Sequence, residues 1–306
     1  MEYYHGPGRR GAYFEGWYLK HQGPEGELAL IPAIHQRRGG ERSATIQVIT
    51  ADQTRIFSFP EQAFQAWEDQ FKVRVSGNWF SQDGVYVDLE EGDFSLKGEL
   101  RYGPFTRLES DIMGPFRRVP AMECVHTVLS MAHPLEGLLC LNGRYLDFSH
   151  GTGYIEGDRG RSFPRTYLWT QCCWQERQKG SIMLSIAHIP ILVGGFTGCI
   201  CQIWFGGRSY RMATYQGVKV VQWGKEGARL RQGDLELSVD LVRESGQPLR
   251  APVSGQMERT IHESLCATVR YRLWERGKLM FDRTDELASY EYADEGKKRR
   301  GRGRYS

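Results

Sequence analysis

Apolar and polar side chains alternate in short runs along most of the chain, and Gly, Pro, Asn or Asp break the runs at close intervals. That two-residue period predicts β-strands rather than helices. Over residues 11–21 it puts Phe14, Gly16 and Tyr18 on one face of a first strand, with Glu15 and Trp17 on the other. Residues 28–34 and 44–50 predict a pair joined by a polar turn, and a short helical turn is expected between Phe59 and Trp67. Hairpins are predicted at Asp83-Gly84, at Glu91-Gly92 and, most strongly, at Asn142-Gly143, where residues tolerant of positive φ separate alternating runs. Residues 122–132 place Cys124, His126 and Val128 on one face.

Residues 103–120 contain three prolines and little periodicity, which predicts a crossover between lobes. Residues 182–205 carry no formal charge, a length that would span a bilayer as a helix. Pro190, Gly194, Gly195 and Gly198 would break such a helix, so the reading is strand, apolar loop, strand. Further strands follow, with an extended run at 247–252 and a last strand at 264–275. Roughly sixteen strands correspond to about two barrels of eight. The fold expected is all-β: two antiparallel β-barrels or sandwiches packed together with few short helices, divided as residues 1–133 and 134–292 with a basic tail at 293–306.

The chain has 306 residues, enough for two cores, and its 36 glycines and 12% aromatics suit many short strands. Six of the basic residues behind the net charge of +3 lie between Lys297 and Arg304, so the body is slightly acidic and offers no nucleic-acid groove. The tail reads as solvated. Seven cysteines, an odd number, and no apolar signal-peptide core at residues 1–10 point to reduced thiols in the cytoplasm. The greasy stretch at 190–197 is either covered or a lip facing lipid, so peripheral membrane contact is the one addition to a cytoplasmic location.

Gly6, Gly8 and Gly11 satisfy GxGxxG, but without the strand before and helix after that a dinucleotide site needs. CC and CxC occur without CxxC or a His pair at metal spacing, so no metal and no cofactor are expected. The chemistry concentrates in residues 153–174, GYIEGDRGRSFPRTYLWTQCCW. There Glu156 and Asp158 share a face with Tyr154, and Tyr167, Trp169 and Gln171 lie on the returning strand. In an apolar cavity, desolvation would raise a carboxyl pKa and leave a proton to give. Such an acid can protonate an alkene while the rings stabilise the cation. Arg159, Arg161 and Arg165 offer the competing reading, a rigid ion-paired corner.

FEGWY at residues 14–18, YIEGDRGRSFPRTYLWTQC at 154–172 and GQPLRAP at 246–252, followed by the strand that ends in Leu273, Trp274 and Glu275, resemble the tocopherol cyclase family. The resemblance covers about residues 11–276. It implies two lipocalin-like barrels, as in carotenoid hydratases of the lipocalin-like type. It also implies a protein acid that protonates a prenyl double bond, after which a phenol oxygen closes a ring or water adds, with no redox cofactor or metal. The function expected is therefore cyclisation, hydration or isomerisation of a hydrophobic isoprenoid or prenylated aromatic. Glu156 is the proton donor, with Asp158, Glu15 and His150 as partners, and Trp17, Tyr154, Trp169, Gln171, Tyr167 and His126 line the pocket. A carrier of the same fold without the acid chemistry is the alternative.

Overall fold

The computed structural model describes residues 3–119, 122–175, 178–190, 195–245 and 247–294. Two sheets account for nearly all of them. The first is built from β1 (Tyr13–Gly23), β2 (Gly26–Gln36), β3 (Arg42–Thr50), β4 (Thr54–Pro60), β5 (Phe64–Ala66), β6 (Lys72–Val75), β7 (Asn78–Ser81), β8 (Gly84–Glu91), β9 (Phe94–Tyr102), β10 (Cys124–Leu141), β11 (Arg144–Asp147) and β12 (Gly151–Gly160). The second contains β13 (Thr166–Trp174), β14 (Gly180–Pro190), β15 (Gly195–Phe205), β16 (Arg208–Ala213), β17 (Lys219–Gly224), β18 (Gly227–Gln232), β19 (Leu235–Arg243), β20 (Gln247–Val253), β21 (Gln256–Glu275) and β22 (Lys278–Asp294). Short 3₁₀ segments of three to five residues are the only helical elements among the described residues, one of them at Glu61–Ala63, inside the stretch where a helical turn is expected.

Strand order is β4-β3-β2-β1-β12-β10-β9-β8-β7-β6-β5 in the first sheet and β16-β15-β14-β13-β22-β21-β19-β18-β17 in the second, with β11 and β20 attached to β10 and β21. The strands exceed the sixteen expected because pieces such as β5, β6 and β11 have only three or four residues, too few for alternation to register. The Asn142-Gly143 hairpin forms as predicted, with φ of 50° and 82°. The uncharged run folds as the β14–β15 hairpin, its residues 191–194 lying outside the described set.

Residues 133 and 134, where the chain was expected to divide, are neighbours inside β10; the change of sheet comes instead between Gly160 and Thr166. Pro134 does not end the strand because register shifts near Val128, Ser130 and His133 let β10 bend and continue against β12. Residues 103–119 join β9 to β10 of the same sheet, so they are not a chain crossover. They nevertheless touch the second sheet, where Arg211 Nη1 donates to Ser110 Oγ at 2.9 Å and Tyr215 OH donates to the Ile112 carbonyl at 2.9 Å.

Each sheet curls around an apolar core of its own. Leu19, Leu30, Val48, Phe80 and Leu96 belong to the first core, and Leu168, Ile186, Met212, Val239 and Tyr271 to the second. A third core lies between the sheets, made by Tyr18, Ala29, Val128, Met131 and Tyr154 against Trp169, Met183, Ile200 and Leu265. Lys20 crosses this seam, its buried ammonium donating to the carbonyls of Leu287 at 2.6 Å and Leu265 at 3.3 Å.

Glu27 lies 3.5 Å from that ammonium. Burial nevertheless outweighs the attraction of Lys20 and pushes the carboxyl up to about 7. Between its ordinary value and about 7 the folded protein keeps a proton that the unfolded chain has released, so stability falls as pH rises through that window. A fall of about 3 kcal/mol between pH 4.5 and 7 is expected, and Glu27→Gln should flatten it. Urea unfolding across that range checks both. No helix among the described residues is long and apolar enough to cross a membrane. The basic residues from Lys297 onward lie outside the described residues.

Candidate active site

The register of β12 sets the site. Glu156 pairs across with Tyr18 on β1 and Val128 on β10, and Asp158 with Gly16 and His126, so the side chains of Glu156, Asp158, Tyr18, Val128 and His126 share the face turned to the second sheet. Opposite them stand Tyr167 and Trp169 of β13 and Glu291 of β22. Between the two walls is a cavity of about 170 Å³, a size that accepts a single aromatic ring. Phe14, Tyr18, Phe163, Tyr167, Trp169 and Ile200 supply much of its surface. Phe14 meets Phe163 edge-on at 5.4 Å and Tyr18 meets Trp169 at 5.3 Å.

The polar side is a carboxylate–imidazole–carboxylate array. His126 Nδ1 lies 3.0 Å from Asp158 Oδ1 and Nε2 lies 3.2 Å from Glu156 Oε2. Burial alone would lower the imidazole pKa, but Glu156 and Asp158 more than reverse this and hold it well above its ordinary value. Glu156 Oε2 also accepts Tyr154 OH at 2.5 Å and Trp169 Nε1 at 3.3 Å. Asp158 Oδ1 accepts the Cys124 thiol at 3.3 Å. The cation between the carboxylates is thus His126 where the sequence offered arginines. Arg159 projects from the opposite face, 3.4 Å from Thr127 Oγ1, and Arg161 and Arg165 are exposed.

His126, Glu156 and Asp158 bring potential ligand atoms within 4.8 Å of one another, the one such grouping among the described residues. Both ring nitrogens of His126 face carboxylates, so the imidazole and the two carboxylates form one proton-sharing array.

Four of the predicted residues lie elsewhere. Glu15 and Trp17 alternate onto the opposite face of β1: Trp17 packs into the first core, and Glu15 accepts His5 N at 2.9 Å and Tyr13 OH at 2.7 Å. Neither lines the main cavity. His150 sits at a turn with φ of 63° and its side chain 92% exposed, 3.5 Å from Glu136, because the turn before β12 points it away from the seam. Gln171 is on the right face but deeper, donating to Cys173 Sγ at 3.0 Å. Tyr154 reaches the site through its hydroxyl on Glu156.

Glu291 was missed by sequence reasoning, which ended the last strand at residue 275. The signal was present in residues 289–293: Tyr290 and Tyr292 alternate with Ser289, Glu291 and Ala293. His35 also lines the cavity. Its Nε2 lies 2.9 Å from Thr45 Oγ1, and burial pushes the imidazole down to about 4, so it is neutral.

Residues 91–293 match the model of the tocopherol cyclase-like family. The chain is 21% identical over 94% of its length to a protein of Oryza sativa subsp. japonica described as a probable chloroplastic tocopherol cyclase, covering 77% of it. It is 20% identical over 94% of its length to the chloroplastic tocopherol cyclase of Zea mays, covering 76%. In fold it is similar to kievitone hydratase of Nectria haematococca, with a TM-score of 0.54, 9% identity, and coverage of 93% of this chain and 90% of that one. A protein of Nitrosomonas europaea assigned as AttH gives 0.53, with 12% identity over 94% of this chain and 96% of that one.

Proposed function

This chain belongs to the tocopherol cyclase-like family, and from that premise we propose that it protonates a carbon–carbon double bond of a hydrophobic isoprenoid or prenylated aromatic and completes a cyclisation, hydration or isomerisation. The observation that carries this reading is the polar wall of Glu156, His126 and Asp158 in a cavity otherwise lined largely by apolar and aromatic side chains. Protonating a trisubstituted alkene leaves positive charge on a tertiary carbon. The faces of Trp169 and Tyr18 and the negative charge of the array would stabilise it, between walls that are largely apolar. A phenol oxygen or a water then forms the new C–O bond and gives its proton to a carboxylate. Reactant and product differ by nothing, or by one water, so the route calls for no electron acceptor. The cavity holds the reacting ring, while a longer chain would extend past the partly buried apolar side chains of Phe116, Ile189 and Phe196 that also line it. Such an apolar stretch suits a substrate taken up from a membrane surface, the location proposed here being the cytoplasm with peripheral membrane contact.

Incubation with prenylated hydroquinones in deuterium oxide is expected to place one deuterium on carbon in each ring-closed product. Glu156→Gln should lower kcat by roughly 100-fold or more with little change in KM. Quinols that bind and are recovered unlabelled would instead establish the carrier.

A further inference from the structure

Across the cavity from the His126 array, β22 presents a second acid. Glu291 is 6% exposed, lines the cavity and stands opposite Trp169 in the β13–β22 register. Its Oε1 has no hydrogen-bond partner, and no cation lies within ion-pair distance of it among the described residues. The donors nearby are engaged elsewhere: Trp169 Nε1 with Glu156, and Tyr18 OH with Ser289 Oγ at 2.9 Å. The charged groups facing Glu291 are Glu156 and Asp158 of β12, with His126 of β10 held between them.

We propose that Glu291 is the proton donor of the reaction, and that Glu156, His126 and Asp158 form the charged counter-wall for the cation. This rests on the function proposed above and assigns its acid. Donors converge on the Glu156 carboxylate, which sets that group up to accept, whereas Glu291 lines the cavity and its buried Oε1 has no hydrogen-bond partner. Burial, reinforced by the charges of Asp158 and Glu156, holds the Glu291 carboxyl well above its ordinary value, which favours its protonated form. In the step, the O–H bond of Glu291 breaks as a C–H bond forms at the less substituted alkene carbon. The adjacent tertiary carbon takes the positive charge. An oxygen lone pair closes on it, and the proton that oxygen releases returns to the Glu291 carboxylate. No oxidant or reductant enters.

The test uses the full chain with geranyl hydroquinone in deuterium oxide, reading binding by tryptophan fluorescence and chemistry by labelled product in a single turnover. Glu291→Gln is expected to bind within about three-fold of the parent and to form product at least about 1,000-fold more slowly. Formic acid should restore part of the turnover of Glu291→Ala and none of that of Glu156→Ala. A Glu291→Gln rate within about ten-fold of the parent overturns the assignment. If the parent itself converts no prenylated quinol, it is the function proposed above that fails. Glu291 is then judged by infrared difference spectra at neutral pH: a protonated-carboxyl stretch that disappears in Glu291→Gln supports it, and absence of that stretch in the parent overturns it.

Discussion

Replacing His126 by glutamine is expected to destabilise the protein by about 3–5 kcal/mol near pH 6, the loss that follows when one partner of a buried charged set is removed. Glu156 and Asp158 would then face each other across an uncharged amide, in a seam where Glu156 is only 4% exposed. The pH dependence identifies the cause. The imidazole pKa is raised above 6.5 in the folded protein, because Glu156 and Asp158 overcome the effect of burial. Its contribution is therefore complete below about pH 6.5 and is lost as pH rises through the folded value. The gap between parent and variant should narrow correspondingly in urea unfolding at successive pH values. A gap of the same size at every pH would mean that His126 holds the wall by shape alone.

Lys20→Met is expected to be nearly as damaging, by about 3 kcal/mol at neutral pH, since methionine fills the space of the stem but donates nothing. The carbonyls of Leu265 and Leu287 would lose their donor across the seam, and Glu27 its neighbouring cation. The loss should shrink in acid, where Glu27 is neutral in any case. Thermal unfolding of Lys20→Met, Glu27→Gln and the double variant separates these contributions: a double variant as stable as Lys20→Met assigns the loss to the carbonyls.

The strands were legible because a half-buried strand must alternate. The placement of Glu156, Asp158 and His126 on one face followed from counting by two along β12 and β10. Counting by two also assigned Glu15 and Trp17 correctly to a common face of β1. It could not say that this face turns inward to the first core, because the sense of a sheet's curl depends on pairings distant in sequence. The β1–β12 pair joins segments more than 130 residues apart, Phe14 against Gly160. The same non-locality put His126 rather than an arginine between the carboxylates, since adjacency along 158–165 favours the guanidinium groups and β10 is known as a neighbour only after folding. Glu291 was hidden for a simpler reason: Glu286, Tyr290 and Tyr292 around it read as a polar C-terminal stretch until β22 is seen paired to both β13 and β21.

The space between the sheets has one further consequence. Each sheet keeps its own core on one face and lends the other to the cavity, so positions such as Ala33, Ser185 and Ala187 border the cavity and belong to neither core. Mutational drift at those positions reshapes what is held without repacking what makes either half fold. Selection for ligand shape at these small border positions is in that sense partly decoupled from selection for stability, in contrast to the buried charges of His126 and Lys20 in the same seam.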